Sequence, residues 1–399
     1  MQDKVIQRCI YGSLARLLSL VVPVKKQLWV FGADYGNTYR EGSKYLLEFM
    51  LKNHREYDCV FVTRSKNVIS ELRSKDIPCV DNYSLKGVWL VVRSECVFTT
   101  QAAADILFAF KRKCRKFYYL MHGMPMKVAL CVLSKSDKSS GAHRGFWAMV
   151  KAWVTALLTC DRHLTDSVFV SATSDFFAYW MRPEFDNKTP VKVLGMPRND
   201  ALFQPWRMDK EKWVADVKSK FVITYMPTHR RYGKGQLSPT PFERRPDVQA
   251  WMQQNNVVLI VKNHPNMLRR FPSGGYHPYE SSTIRDITTA DIDPMTAIYH
   301  SDVLITDYSS VWMDYLLLRR PIVFYIYDNF AKDDVGLYYD PIQENVGHPC
   351  YSEDELFRLI KHIKANYEAM RPAGAVVHKF HKYVDGNSCE RYFNEITDS

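Results

Sequence analysis

The chain has 399 residues, 46% of them hydrophobic, and 54 Lys and Arg against 43 Asp and Glu give a net charge of +11 at pH 7. That length predicts two domains with real cores, and the basic excess favours an acidic partner: a nucleotide, a phosphate-bearing substrate, an anionic membrane surface or nucleic acid. The nine Cys, no two closer than seventeen residues, exclude a CxxC redox pair and a zinc knuckle and read as reduced core thiols.

In residues 1–26, Val5, Ile6, Ile10, Leu14, Leu17, Leu18 and Val21 recur at helical spacing with Lys4, Arg8 and Arg16 among them. This predicts an amphipathic helix, lying either in a lipid interface or on the first domain. No cleavage site follows it, and no apolar run reaches the 18 residues of a spanning helix. From Gln27, "LWVFGA" (28–33), "CVFVT" (59–63), "CVFTT" (96–100) and "KFYYLM" (116–121) read as buried strands. "SKYLLEFMLKN" and "YSLKGVWLVVRS" between them carry helical periodicity. The basic cluster "KRKCRK" (111–116) and the Trp-bearing apolar helix expected over 146–158, within an insertion near 129–160, together fit a membrane-surface contact. A second series follows: "VKVLGM" (191–196), "FVITYMP" (221–227), "VVLIVKNHP" (257–265), "DVLITDYSS" (302–310) and "PIVFYIYD" (321–328). Two such series predict an α/β protein of two Rossmann-like domains with parallel sheets facing a central cleft. The boundaries expected are 27–202 for an acceptor domain, 203–375 for a donor-binding domain, and 376–399 for a C-terminal helix crossing back.

The chemistry concentrates at strand ends. In "YLMHGMPMK" (119–127), His122 stands where a strand opens at the carboxyl edge of a parallel sheet. An imidazole there suits removal of a proton from a hydroxyl. Gly123 permits close approach, Pro125 fixes the turn, and Lys127 suits a phosphate. "LITDYSSVWMDYLLL" (304–318) runs from a strand through Asp307 to Ser309 and Ser310 at a helix start, a cradle for a diphosphate as well as a simple cap. "VKNHPN" (261–266) ends another strand at His264, and "MPTHRRYGKG" (226–235) adds His229 and Arg230 after a third. Three strand ends of one domain thus bring basic and hydroxyl groups to one edge. The absence of a Walker sequence and of G-x-G-x-x-G argues against NTP hydrolysis and dinucleotide redox chemistry, and no metal motif is present.

On these residues the chain resembles the CDP-glycerol glycerophosphotransferases, which build wall teichoic acid and related capsule polymers. The likeness runs through "FGADYGNTYREGSKYL", "MHGMPMK", "LGMPRND", "MPTHR", "KNHP", "ITDYSSVWMDY", "RPIVFYIYD", "GLYYD" and "FHKYVDGNSCERYF". The resemblance implies a GT-B-like fold and a peripheral place on the cytoplasmic face of the cell membrane. It implies a CDP-glycerol donor, a lipid-linked or glycan acceptor, and no cofactor, metal or nucleic acid. Its catalytic histidines fall on His122, as general base, and on His264, at the phosphates. Ser309, Ser310, Asp307, Arg230 and Lys127 would hold the pyrophosphate, with Gly123, Pro125, His229, Arg198, Asn199 and Asp314 elsewhere in the cleft. Met121, Met124 and Met126 stand where the family usually has Trp, Thr and Leu. A CDP-ribitol donor, a nucleotide-sugar GT-B glycosyltransferase and a non-catalytic basic binding protein are the alternative readings, and the oligomeric state is open.

Overall fold

The computed structural model describes residues 2–106, 115–126, 166–185, 187–205, 212–228, 239–264, 276–290, 292–328 and 336–398. Two compact units emerge. The first comprises Met1–His122, Ala129–Asp200 and Asn387–Ser399, and the second Gly123–Val128 and Ala201–Gly386.

The first unit is built on a seven-stranded parallel sheet. Its strands are β1 (Lys25–Phe31), β2 (Asp58–Thr63), β3 (Cys79–Asp81), β4 (Ser94–Thr99), β5 (Lys116–Tyr119), β6 (Val170–Ala172) and β7 (Val191–Val193). They lie in the order β3-β2-β1-β4-β5-β6-β7. Runs such as Leu28–Phe31 and Val97–Phe98 are apolar without alternation because both faces are covered. Phe31, Phe98 and Tyr118 stack across β1, β4 and β5 with centroids 4.6 and 5.1 Å apart. Each such pair contributes about 0.5–1.5 kcal/mol beyond its area burial, so the three strand ends are held in fixed register. The segment "VKVLGM" belongs to this sheet rather than opening the second series. Its Lys192 faces water, as suits an edge strand.

Around the sheet run α1 (Gln2–Val21), α2 (Glu41–Asn53), α3 (Lys66–Ser74) and α4 (Leu85–Arg93). Ser65 and Ser84 cap α3 and α4 through their hydroxyl oxygens. Arg115 departs from the expected basic surface cluster. It is buried and donates to the carbonyls of Val91, Val92 and Ser94, neutralising the C-terminal end of α4. The rest of that run through Cys114, and the helix expected over 146–158, lie outside the described residues.

The second unit is a six-stranded parallel sheet of β8 (Phe221–Tyr225), β9 (Val257–Val261), β10 (Ile284–Asp286), β11 (Val303–Thr306), β12 (Ile322–Tyr325) and β13 (His348–Cys350), in the order β10-β9-β8-β11-β12-β13. Val, Ile and Leu from β8, β9 and β11 fill cores on both faces. The α/β class and the two parallel sheets agree with the sequence. The C-terminal region is two helices, not one. Gly374–Phe380 belongs to the second unit and Ser388–Thr397 to the first, with the chain turning at Gly386, whose φ of +70° a side chain would resist. Among the described residues, no helix is long and apolar enough to cross a membrane.

Candidate active site

In the first sheet the strand order reverses between β1 and β4, the position where open α/β sheets bind ligands beyond their carboxyl ends. Asp105, fully buried, organises the loops there. One carboxylate oxygen accepts from the Tyr35 N–H at 2.7 Å, and the other from the N–H groups of Thr100 at 2.7 Å and Gln101 at 2.8 Å. Burial pushes the Asp105 carboxyl above its ordinary range, against the pull of these N–H donors. The fixed Thr100 then presents its carbonyl to Nδ1 of His122 at 3.3 Å. A carbonyl only accepts, so in the neutral ring Nδ1 carries the proton and the lone pair of a base falls on Nε2.

The main chain at this histidine is equally constrained. Met121 adopts φ +61°, a left-handed conformation costly for a long side chain and sustained only where the surroundings impose it. Arg198 supplies part of that constraint. Its guanidinium donates to the His122 carbonyl at 2.5 Å and to the Glu41 carboxylate. Arg198 and Asn199, expected to line a cleft, are both buried. Arg198 therefore acts on the His122 backbone, and Asn199 closes a turn onto the Met196 carbonyl. Asp200 accepts from the N–H groups of Ser388 and Cys389 at 2.8 and 2.7 Å and caps the last helix. Gly195, at φ +85°, lets Ser388 approach to where a Cβ would stand 2.4 Å from its hydroxyl.

In the second unit β8 lies between β9 and β11, so the segments after all three share one edge. After β9, Asn263 donates its N–H to Thr288 Oγ1 at 2.9 Å and its amide to Tyr276 Oη at 3.2 Å, while Tyr276 donates to the Asp286 carboxylate. This lattice fixes the backbone immediately before His264, whose ring is exposed. After β11, Asp307 is buried and one carboxylate oxygen accepts from the N–H and hydroxyl of Thr228 at 2.8 and 2.7 Å. Asp307 therefore ties the ends of β8 and β11 together, a positioning task that the sequence did not reveal. Ser309 and Ser310 follow, both half-buried, before the short helix Val311–Leu316. Ser310 makes no side-chain cap bond, so the simple capping role expected for it is not what the structure gives. Asp314, expected at the cleft, is buried inside this helix.

The same helix is braced from behind. Trp312 donates to the Met126 sulfur at 3.4 Å, the Tyr338 N–H to the Met126 carbonyl, and the Tyr339 hydroxyl to the Pro125 carbonyl at 3.3 Å. The residues after His122 are thus seated within the second unit, with Gly123 buried and Pro125 half-buried. His381 donates from Nε2 to the Met313 carbonyl at 2.7 Å. Burial holds its ring well below the ordinary imidazole value, at about 4, although the Met313 carbonyl and Asp314 pull the other way. Lys127, His229 and Arg230 lie outside the described residues.

The CDP-glycerol:poly(glycerophosphate) glycerophosphotransferase profile matches residues 14–398. The chain belongs to that family. The teichoic acid poly(glycerol phosphate) polymerase of Bacillus subtilis (strain 168) is 26% identical over 415 residues, spanning 99% of this chain and 52% of that one. The chain therefore spans about half the length of that polymerase. The teichoic acid glycerol-phosphate primase of the same strain is 29% identical over 377 residues, covering 90% of each. The solved wall teichoic acid polymerase TagF shares the fold at a TM-score of 0.70 and 19% identity, covering 100% of this chain and 93% of that one. Thr100, Asp105, Thr228, Tyr276 and His381, which the sequence did not mark, hold the chain around His122, ahead of His264 and around the Ser309–Ser310 segment. Only the hydrogen bonds that folding brings to them mark them.

Proposed function

We propose that this glycerophosphotransferase family member transfers glycerol phosphate from CDP-glycerol to a hydroxyl of a lipid-linked or glycan acceptor in teichoic acid synthesis, releasing CMP. The observation that carries the reading is the His122 ring, held by Thr100 with Nε2 as its basic atom, in a chain of this family. The acceptor oxygen attacks the β-phosphorus, its proton passes to His122 Nε2, and the bond to the CMP oxygen breaks as the new phosphodiester bond forms. A positioned base of this kind contributes about 10²–10⁴-fold. His264, the Ser309–Ser310 hydroxyls, Arg230 and Lys127 neutralise and hold the pyrophosphate. The enzyme works at the cytoplasmic face of the cell membrane, which its basic charge of +11 favours.

The test is to incubate purified protein and acceptor with CDP-glycerol, CDP-ribitol and UDP-sugars in parallel and identify the nucleotide product. CMP from CDP-glycerol is expected. UDP release from a nucleotide sugar, without CMP, would overturn the proposal.

A further inference from the structure

From Ile10 to Val21, helix α1 turns large apolar side chains toward water. Over residues 10–21, the part of the helix whose burial is described, the buried positions are Gly12 and Ala15, small residues on a helix that packs against α4. At about 100° per residue, Ile10, Leu17, Leu20 and Val21 fall within roughly 100° of arc on the opposite side. They are 60%, 65%, 80% and 79% exposed. A helix on a soluble core turns its large apolar residues inward. α4 does the same in part. Val88, Val91 and Val92 are buried, while Leu85 and Trp89 stay 70% and 43% exposed. Six of the large hydrophobic side chains left in water among the described residues thus belong to this one helix pair.

The two stretches of sequence carry charge of one sign: from Lys4 to Gln27 and from Asn82 to Ser94 there is no carboxylate, whereas Lys26, Lys86 and Arg93 occur there. Lys25 is paired with Asp58 and is not counted among these cations. Arg93 lies 5.4 Å from the centroid of the Trp89 ring, so the indole is bordered directly by a guanidinium. A protein partner or a second copy would leave these cations to be matched by acidic groups. A bilayer of anionic lipid matches both features, since acyl chains take Leu and Trp while headgroups take the cations.

We infer that the outward faces of α1 and α4 form one lipid-contacting surface that seats the enzyme on anionic bilayer, with Leu85 and Trp89 entering the interface beside Leu17, Leu20 and Val21. This deepens, and rests on, the membrane-surface reading above.

The experiment is flotation of the full chain with vesicles of phosphatidylglycerol and phosphatidylcholine, compared with phosphatidylcholine alone. Wild type should float with the anionic vesicles, less with neutral ones, and less again in high salt. Leu85→Ser with Trp89→Ser should lower partitioning about tenfold or more, because two large apolar side chains no longer leave water. Trp89→Phe should keep binding but lose the part of the fluorescence that brominated lipid quenches, a readout that does not depend on the double variant folding. Equal flotation of wild type and double variant, or quenching unchanged in Trp89→Phe, would overturn the assignment to this face and leave membrane binding itself intact. Failure of wild type to float with any anionic vesicle would overturn both. A dimer in sedimentation that the double variant abolishes, without vesicle binding, would assign the face to a second copy and sink the lipid inference.

Discussion

Replacing His381 by Gln tests how the helix behind the serine pair is held. In the folded chain the imidazole is neutral, because burial depresses it to about 4 while an unfolded histidine titrates near 6.5. The folded value lies below the unfolded one, so the unfolded chain takes up the proton first as the solution is acidified. Stability from this group is therefore complete above pH 6.5 and drains away as pH falls toward 4. At 1.36 kcal/mol per pH unit the full loss is about 3 kcal/mol, of which about 2 kcal/mol is gone by pH 5. Gln has an amide that donates to the Met313 carbonyl in place of Nε2–H, and it does not titrate. Urea unfolding followed by circular dichroism at pH 7 and pH 5 should show wild type losing about 2 kcal/mol more than His381→Gln over that interval. Parallel losses in the two proteins would refute the claim that a buried, neutral imidazole braces this helix.

Three further outcomes are expected. His122→Ala should cut turnover about 10²–10⁴-fold while CDP-glycerol binding measured by calorimetry stays near wild type, since the base acts on the acceptor's proton; retained turnover removes His122 from the chemistry. Asp105→Asn leaves fewer acceptor oxygens for the N–H groups of Tyr35, Thr100 and Gln101, and should lower kcat with donor KM unchanged and stability reduced by about 1–3 kcal/mol. A KM effect without a kcat effect would contradict its positioning of His122. Ser309→Ala with Ser310→Ala should weaken CDP-glycerol affinity about 10–100-fold, the scale of lost hydrogen bonds to a charged group; unchanged affinity would dismiss the serine cradle.

The strands were legible where they are long and doubly covered. "CVFVT" and "VVLIV" announce themselves because no residue in them needs water. The three-residue strands Cys79–Asp81, Val170–Ala172, Ile284–Asp286 and His348–Cys350 were not legible, since neighbouring strands rather than their own pattern make them pair. The same holds at the site. His122 and His264 stand out because an imidazole after a buried strand is a chemical anomaly. Asp105 does not, because its meaning depends on Tyr35, Thr100 and Gln101, which only folding brings to it. Arg115 and Arg198 show the converse. Counted as surface or cleft charge, each is spent on carbonyl groups inside the first unit. Met126, a departure from the family's usual Leu, has a sulfur that the Trp312 indole reaches, a contact no substitution table anticipates.

The way the first unit is assembled from separated stretches bears on how the protein is made. Asp200 waits for the amides of Ser388 and Cys389, which the ribosome adds about 190 residues later. At ordinary elongation rates that interval is roughly 10–40 s. Throughout it the Asp200 carboxylate lacks these two donors, and Phe169 and Trp29 lack the Tyr392 and Phe393 rings that pack on them in the finished fold. The first unit's core is thus completed only when the last helix has been made.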